Sequence, residues 1–201
     1  MTQQQQFSRL ILVLGGARSG KSTFAERLAA TSEKRIAFIA TATASDEDMR
    51  NRIMRHKASR PVTWITIEEP LDLVAAITQA SDEADVILLD CITLWLSNWM
   101  AQHSSTIEGD DVQLQHAYND GVLADIETLL SAIRFLAPGK TVIIVTNEVG
   151  LGIVPMHPLS RAYRDLLGWM NQRIAQDADR VYLMIAGLGV DIKQLHEKAT
   201  L

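Results

Sequence analysis

Short apolar runs alternate with longer stretches of helical period along this chain. LILVL (10–14), IAFIA (36–40), DVILLD (85–90), TVIIVT (141–146) and RVYLMIA (180–186) read as strands. Most are apolar at consecutive positions, the pattern of parallel strands covered on both faces. VTWITI (62–67) is rich in β-branched residues and reads as a shorter strand. Helical spacing predicts helices over residues 21–31, about 46–58, 71–79, 93–102, about 112–136 and 161–175. Strand and helix in alternation predict an α/β fold with a mostly parallel sheet and helices on both faces. The polar stretch HSSTIEGDD (103–111) reads as the longest loop.

Composition narrows the class. The chain has 201 residues, enough for one domain with a real core, expected over 10–201 after a disordered glutamine-rich tail at 1–9. Lys and Arg number 19 against 24 Asp and Glu, a net charge of −5, which argues against a nucleic-acid partner. Any polyanion site is therefore local. The single cysteine, Cys91, lies in an apolar context and reads as a small buried residue. The start lacks a basic segment followed by a long apolar one, and LILVL is too short to span a bilayer. A soluble, cytoplasmic protein without a membrane span is expected.

The first strand runs directly into GGARSGKS, which matches G-x-x-x-x-G-K-[ST] with Gly15, Gly20, Lys21 and Ser22. Glycines at these places let backbone N–H groups turn inward around phosphates, and the following helix adds its positive dipole end. Gly16, Ala17, Arg18 and Ser19 complete the cradle. Lys21 is expected on the β- and γ-phosphates and the Ser22 hydroxyl on Mg²⁺. DVILLD ends in Asp90, which puts a carboxylate at the same sheet edge, able to hold magnesium through water.

A phosphotransferase, a DNA-handling ATPase and a GTPase switch all use this apparatus. No N-K-x-D segment reads guanine here, and the acidic balance disfavours a strand-tracking ATPase. RIMRHKASRP (52–61) then stands out, setting His56 among Arg52, Arg55, Lys57 and Arg60. Ser45 and Asp48 have capping-box spacing ahead of it. On a helix, Arg52 lies one turn before His56, and Arg60 one turn after if the helix persists. Neighbouring cations favour a neutral, nucleophilic imidazole and can clamp a triphosphate. A solvated basic face is the plain alternative.

GGARSGKS, IATAT (39–43), RIMRHKASRP followed by Trp64, LLDCITLWLSN (88–98) and TNEVGLGIVP (146–155) together resemble the bifunctional adenosylcobinamide kinase/adenosylcobinamide-phosphate guanylyltransferase family of cobalamin biosynthesis. The resemblance implies a RecA-like P-loop fold, assembled as a homotrimer. It implies phosphorylation of adenosylcobinamide by ATP or GTP. Transfer of GMP from GTP to adenosylcobinamide phosphate follows, with release of pyrophosphate. The resemblance places the guanylylated histidine at His56, and nucleotide contacts at Thr41, Ala42, Thr43, Lys57, Ala58, Ser59, Arg60, Glu68 and Asp90. A RecA-like ATPase, a nucleotide-binding module or a kinase of another small alcohol are the competing readings. Asn147 and Glu148 can serve a substrate or merely their loop. Trp95 and Trp99 fit core packing better than a corrinoid site or subunit interface.

Overall fold

A computed structural model describes residues 10–44, 47–103 and 112–199. The elements run β1 (Leu10–Gly15), α1 (Lys21–Ala30), β2 (Ile36–Ala40), α2 (Glu47–Ser59), β3 (Ile65–Glu68), α3 (Leu73–Glu83), β4 (Val86–Asp90) and α4 (Ile92–Gln102). They continue with α5 (Val112–Arg134), β5 (Thr141–Val145), α6 (Pro158–Asp177), β6 (Arg180–Ile185), β7 (Leu188–Asp191) and α7 (Ile192–Ala199). The strands form one sheet in the order β3-β2-β4-β5-β1-β6-β7, parallel except for the antiparallel edge strand β7. The glutamine-rich start and most of the expected long loop (104–111) lie outside the described residues.

Alternation within each strand sorts the core into two layers. Leu10, Leu12, Ala37, Ile39, Ile87, Leu89, Val142 and Ile144 face α3, α4, α5 and α6. Ile11, Val13, Ile36, Phe38, Val86, Leu88, Ile143 and Val145 face α1, which contributes Ala25 and Ala29. Small residues on α1 let it lie close over β1, β4 and β5. Both faces of the central strands are therefore dry, each fully buried Leu or Ile contributing about 1.5–3 kcal/mol. That is why these strands read as unbroken apolar runs.

Helix ends follow local chemistry. The Asp72 side chain caps α3 by accepting from the Ala75 N–H at 2.9 Å, and Pro158 opens α6 where its missing N–H costs nothing. Arg173 reaches Glu127 on α5 and Asp177 on its own helix, and Arg134 joins the same Asp177, tying α5 to α6. Two elements were not anticipated from sequence, β7 and α7. The signal for β7 was Ala186-Gly187, a two-residue turn with both φ values positive (52° and 83°) that reverses β6 into β7. Its Gly187 N–H donates to Ser19 O at 2.9 Å, so the hairpin buttresses the loop after β1.

The expected shorter strand at 62–67 forms as β3, starting three residues later. Trp95 and Trp99 are buried, as core packing requires, with their indole N–H groups donating to Leu71 O and Asp125 Oδ2, each at 2.7 Å. They also wall a cavity of about 460 Å³ between α3, α4 and α5.

The closest backbone approach in the cradle is at Gly15. A Cβ there would stand 2.5 Å from Met184 O and 2.9 Å from Ser19 Oγ. Gly15→Ala should therefore cost about 1–3 kcal/mol as an overpacked site. For a domain of this size that is a fall of roughly 2–4 °C in melting midpoint per kcal/mol. A thermal melt with an unchanged midpoint would show that β6 yields freely.

Candidate active site at the carboxyl edge of the sheet

β1 ends in Gly15, and the chain turns through the loop into α1 with Arg18 and Gly20 both at positive φ (57° and 92°). A Cβ on Gly20 would also come 3.2 Å from Gly187 Cα, so the hairpin turn presses on the loop there. Gly16, Ala17 and Arg18 are at the surface, whereas Ser19 and Lys21 are buried. Lys21 Nζ donates to Gly16 O at 2.6 Å, spanning the loop. Burial lowers the Lys21 pKa, opposed by Cys91 and Asp90. The loop brings together the parts of a phosphate cradle: glycine backbone N–H groups, a helix N-terminus and an ammonium within eight residues.

Asp90 closes β4 next to it. The Ser22 hydroxyl hydrogen-bonds the Asp90 carboxylate, and burial raises that carboxyl's pKa against the opposing pull of Ser22, His56, Arg60 and Lys21. A hydroxyl and a carboxylate are hard oxygen donors, which suits Mg²⁺, an ion that takes one or two protein oxygens and fills its shell with phosphate and water. Ser22 and Asp90 are thus together, as the sequence led us to expect.

Thr41, Ala42 and Thr43 follow β2 at the same edge. Thr41 Oγ1 donates to Cys91 O (2.7 Å) and accepts from Cys91 N (3.1 Å), stapling the ends of β2 and β4 across a cis Asp90–Cys91 peptide. Asn98 on α4 donates to Thr41 O at 2.8 Å and accepts from Thr43 Oγ1 at 3.1 Å. Asn98 was not singled out from sequence. Cys91 is buried as expected, its thiol pushed up to about 12 by desolvation.

α2 carries His56, Lys57, Ala58 and Ser59 in its last turn. Lys57 pairs with Glu68, the last residue of β3, so two expected nucleotide contacts hold each other. Arg60 departs from expectation. The helix stops at Ser59, and the Arg60 guanidinium lies over the Phe38 ring, 3.5 Å from its centroid. Phe38 lies on the apolar face of β2, and a flat, weakly hydrated guanidinium covers it where an ammonium would not. Arg60 Nε and Nη1 are buried with no hydrogen-bond partner among the described residues, and burial lowers the guanidinium's pKa. The uninterrupted face of guanidinium, imidazole, guanidinium is thus not formed at its far end. At its near end the Arg52 side chain lies outside the described residues, as do the Ser59 side chain and Ser45 of the expected capping box.

The setting of His56 is mixed rather than purely cationic. Its charge acts on Asp90 and also on Glu26, a half-buried residue of α1. The expectation counted only the cations of α2 and missed the carboxylates that other elements bring. The signal for Glu26 was its spacing, one helical turn after Ser22.

β5 and α4 finish the edge through a buried polar network. Thr93 Oγ1 accepts from the Asn147 N–H (2.7 Å) and lies 3.4 Å from Thr146 Oγ1. Thr146 donates to Asn171 Oδ1 (2.8 Å), and Asn171 Nδ2 donates to Asn147 O (2.9 Å). The Glu148 N–H donates to Gly15 O at 3.0 Å, fastening the segment to the cradle strand. Asn147 and Glu148 therefore do serve their loop, directly beside the end of β1.

Comparison with known proteins agrees with this geometry. A family model described as cobinamide kinase / cobinamide phosphate guanyltransferase matches residues 11–192. The bifunctional adenosylcobalamin biosynthesis protein CobP of Pseudomonas aeruginosa is 45% identical over 182 residues, covering 90% of this chain and 96% of that one. Proteins of the corresponding description, CobU, from Salmonella typhimurium and Escherichia coli are 42% and 39% identical, each over 184 residues and 99% of the relative. Among solved structures, a prototypical ATPase from the type III secretion system of pathogenic bacteria superposes with TM-score 0.52 at 12% identity. It covers 93% of this chain and 57% of the other, a likeness of fold alone.

The raised Asp90 carboxyl gives a prediction for the protein without nucleotide or magnesium. The ionised form is penalised in the folded state, so the penalty is absent below the unfolded pKa of about 3.9 and grows as pH rises through the higher folded value. Asp90→Asn should raise the melting midpoint at pH 8, and the gain should shrink as pH falls toward 5. The same variant should bind magnesium nucleotide at least about tenfold more weakly, roughly 1.4 kcal/mol. An equal or larger gain at pH 5 would contradict the desolvation argument.

Proposed function

The chain belongs to the cobinamide kinase / cobinamide phosphate guanyltransferase family, and from that premise we propose that one sheet edge serves both reactions, with His56 carrying the guanylyl group between substrates. The protein is a bifunctional enzyme of cobalamin biosynthesis: it phosphorylates adenosylcobinamide, then transfers GMP from GTP to adenosylcobinamide phosphate. Its substrates therefore include nucleoside triphosphates, ATP or GTP for the first step and GTP for the second.

In the kinase step Gly15, Gly16, Ala17, Arg18, Ser19 and Gly20 wrap the β- and γ-phosphates, and Lys21 follows the γ-phosphoryl as it moves to the substrate hydroxyl. Ser22 and Asp90 would hold Mg²⁺, which supplies charge neutralisation on the phosphate oxygens. Thr41, Ala42 and Thr43, held by Asn98, offer backbone and hydroxyl groups to the nucleotide.

In the second step the His56 imidazole attacks the α-phosphorus and pyrophosphate departs with the electron pair of the broken P–O bond. The substrate phosphate then displaces the imidazole, giving adenosylcobinamide-GDP. Splitting the transfer in two is covalent catalysis by an activated nucleophile. What supports this reading is electrostatic: the charge of His56 opposes the burial that raises the Asp90 carboxyl's pKa. Arg60 adds two buried N–H donors without a protein acceptor, suited to the oxygens of a triphosphate. Lys57 and Glu68 brace the histidine's helix against β3.

Self-association as a homotrimer is supported by apolar surface between β5 and α6. Leu151, Ile153 and Met156 there are 88%, 96% and 90% exposed, more than an isolated surface usually leaves uncovered in one short segment. Among the described residues no helix is long and apolar enough to cross a membrane, and nucleoside triphosphate substrates suit a cytoplasmic location. Leu151→Asp combined with Ile153→Asp should convert a trimeric mass in light scattering to a monomeric one; an unchanged mass would remove this surface from the interface.

GTP labelled at the α-phosphate tests the covalent step. The native protein should retain label through denaturation, as a P–N bond labile in acid and stable in alkali. His56→Ala should retain none, and γ-labelled GTP should leave none. Nucleotide bound without any α-label would return His56 to a solvated basic face.

A further inference from the structure

The extended backbone of β5 continues past the end of β4. Val145 stands in register with Val13 of β1 on one side and with Asp90 of β4 on the other. Beyond it the Thr146 N–H donates to Val13 O and the Glu148 N–H to Gly15 O, each at 3.0 Å. These two bonds repeat the parallel ladder at its two-residue interval, which sets Asn147 beside Gly15. The backbone groups of Asn147 point the other way. Its N–H donates to Thr93 Oγ1 at 2.7 Å, and its carbonyl accepts from Asn171 Nδ2 at 2.9 Å. β4 has already ended there, and a threonine of α4 stands in for its next residue.

The same ladder decides which face the Asn147 side chain occupies, because successive side chains of an extended strand alternate between faces. Ile143 and Val145 pack on the α1 side with Ala25 and Ala29. Ile144 and Thr146 take the opposite side, where Thr146 donates to Asn171 of α6. Asn147 therefore returns to the α1 side. That is also the side of Leu88 and, two residues on, of Asp90, which is in register with Val145. Lys21 and Ser22 begin the helix that covers this face. The Asn147 amide thus stands between the strand that ends in Gly15 and the strand that ends in Asp90. It lies two residues, about 7 Å, past the level of that carboxyl.

Nothing in the fold uses this amide. The residue is half-buried and its backbone is held on both sides, yet among the described residues its side chain makes no hydrogen bond. An amide carries two donors and an acceptor, which here are left for water or a ligand. The polar network would be complete with another side chain at this position, since only backbone atoms of Asn147 take part in it.

We propose that Asn147 is a catalytic residue of the phosphoryl transfer, its side-chain N–H donating to an oxygen of the terminal phosphate. The inference deepens the proposed kinase step and rests on it. In that step Lys21 and the magnesium held by Ser22 and Asp90 address the same end of the triphosphate. The bond from the γ-phosphorus to the β-bridging oxygen breaks, and the nucleoside diphosphate keeps that electron pair. The new P–O bond forms to the substrate hydroxyl oxygen, whose proton passes to water. Asn147 gives up no proton. Its donor stabilises charge on the equatorial oxygens of the moving phosphoryl group, and because its backbone is already fixed it needs no reorganisation to do so. A nucleoside diphosphate has no terminal phosphate of this kind, so the amide also tells a triphosphate from a diphosphate.

The test uses full-length native protein, Asn147→Ala, Asn147→Asp and, as a control on the cradle, Lys21→Ala. Single-turnover transfer from γ-labelled ATP to adenosylcobinamide gives the rate. Dissociation constants for ADP and for an ATP analogue with nitrogen at the β–γ bridge, both with magnesium, and the melting midpoint are measured on each protein. Asn147→Ala should lower the rate by about 100-fold, the lower end of what removing one preorganised donor costs. It should weaken the triphosphate analogue by about 2–10-fold, the worth of one hydrogen bond, and leave ADP within about twofold. Asn147→Asp, nearly identical in size, should be slower than Asn147→Ala, because a carboxylate repels the phosphate oxygens where an amide attracts them. Both variants should melt with the native protein. A native rate in Asn147→Ala overturns the inference, and so does Asn147→Asp matching the native rate. Equal losses of ADP and triphosphate affinity, or a lowered melt in both variants, overturn it as well and assign Asn147 to the scaffold. A native rate in Lys21→Ala would instead remove the kinase reading on which the inference stands.

Discussion

Lys21 is buried and Asp90 half-buried at the carboxyl edge of one parallel sheet, and the rest of the site is arranged around them. Desolvation pushes the ammonium toward losing its proton and the carboxyl toward keeping one. Each charge opposes the other's shift, and Ser22 adds a hydrogen bond to the carboxylate. The compensation is incomplete, since burial remains the largest cause for both groups. A parallel sheet makes this possible because β1 and β4 both finish at the same edge, separated only by β5.

What surrounds this pair is mostly scaffold for backbone rather than side-chain chemistry. Thr41 and Cys91 exchange hydrogen bonds between the ends of β2 and β4, and Asn98 ties the following loop to α4. Thr93, Thr146, Asn171 and Asn147 do the same for β5, with the Tyr163 hydroxyl donating to Thr93 O at 3.1 Å. Every member of that network has a partner, which is the condition under which buried polar groups rigidify instead of weaken. The hairpin after β6 completes the support from the other side through Gly187.

In the proposed reading, two reactions at one edge require a second set of groups beside the nucleotide. α2 and the turn after it supply them: an imidazole in the helix's last turn and a guanidinium resting on Phe38. The Lys57–Glu68 pair is exposed, and such pairs contribute little stability, so it orients this segment more than it anchors it. The kinase step, as proposed, draws on α1 and β4. The guanylyl step, as proposed, adds α2.

The chain's own order of residues determined a good deal. Six strands and six helices were legible because apolar runs and helical period are local consequences of being buried on two faces or one. The phosphate cradle was legible because its geometry demands glycines and a lysine at fixed spacing within eight residues, GGARSGKS. Cys91 was legible as buried from its apolar neighbours alone. Tertiary structure decided the rest. Arg60 leaves the helical face because Phe38, twenty-two positions earlier, offers it a ring. Glu26 on α1 feels the charges of Asp90 on β4 and His56 on α2, and the acids around a histidine cannot be counted from one helix. β7 went unread because a short exposed edge strand carries neither an apolar run nor a full period. Local pattern reports how each segment is covered; only the fold sets which charges share a site, since electrostatic neighbours are chosen by distance in space.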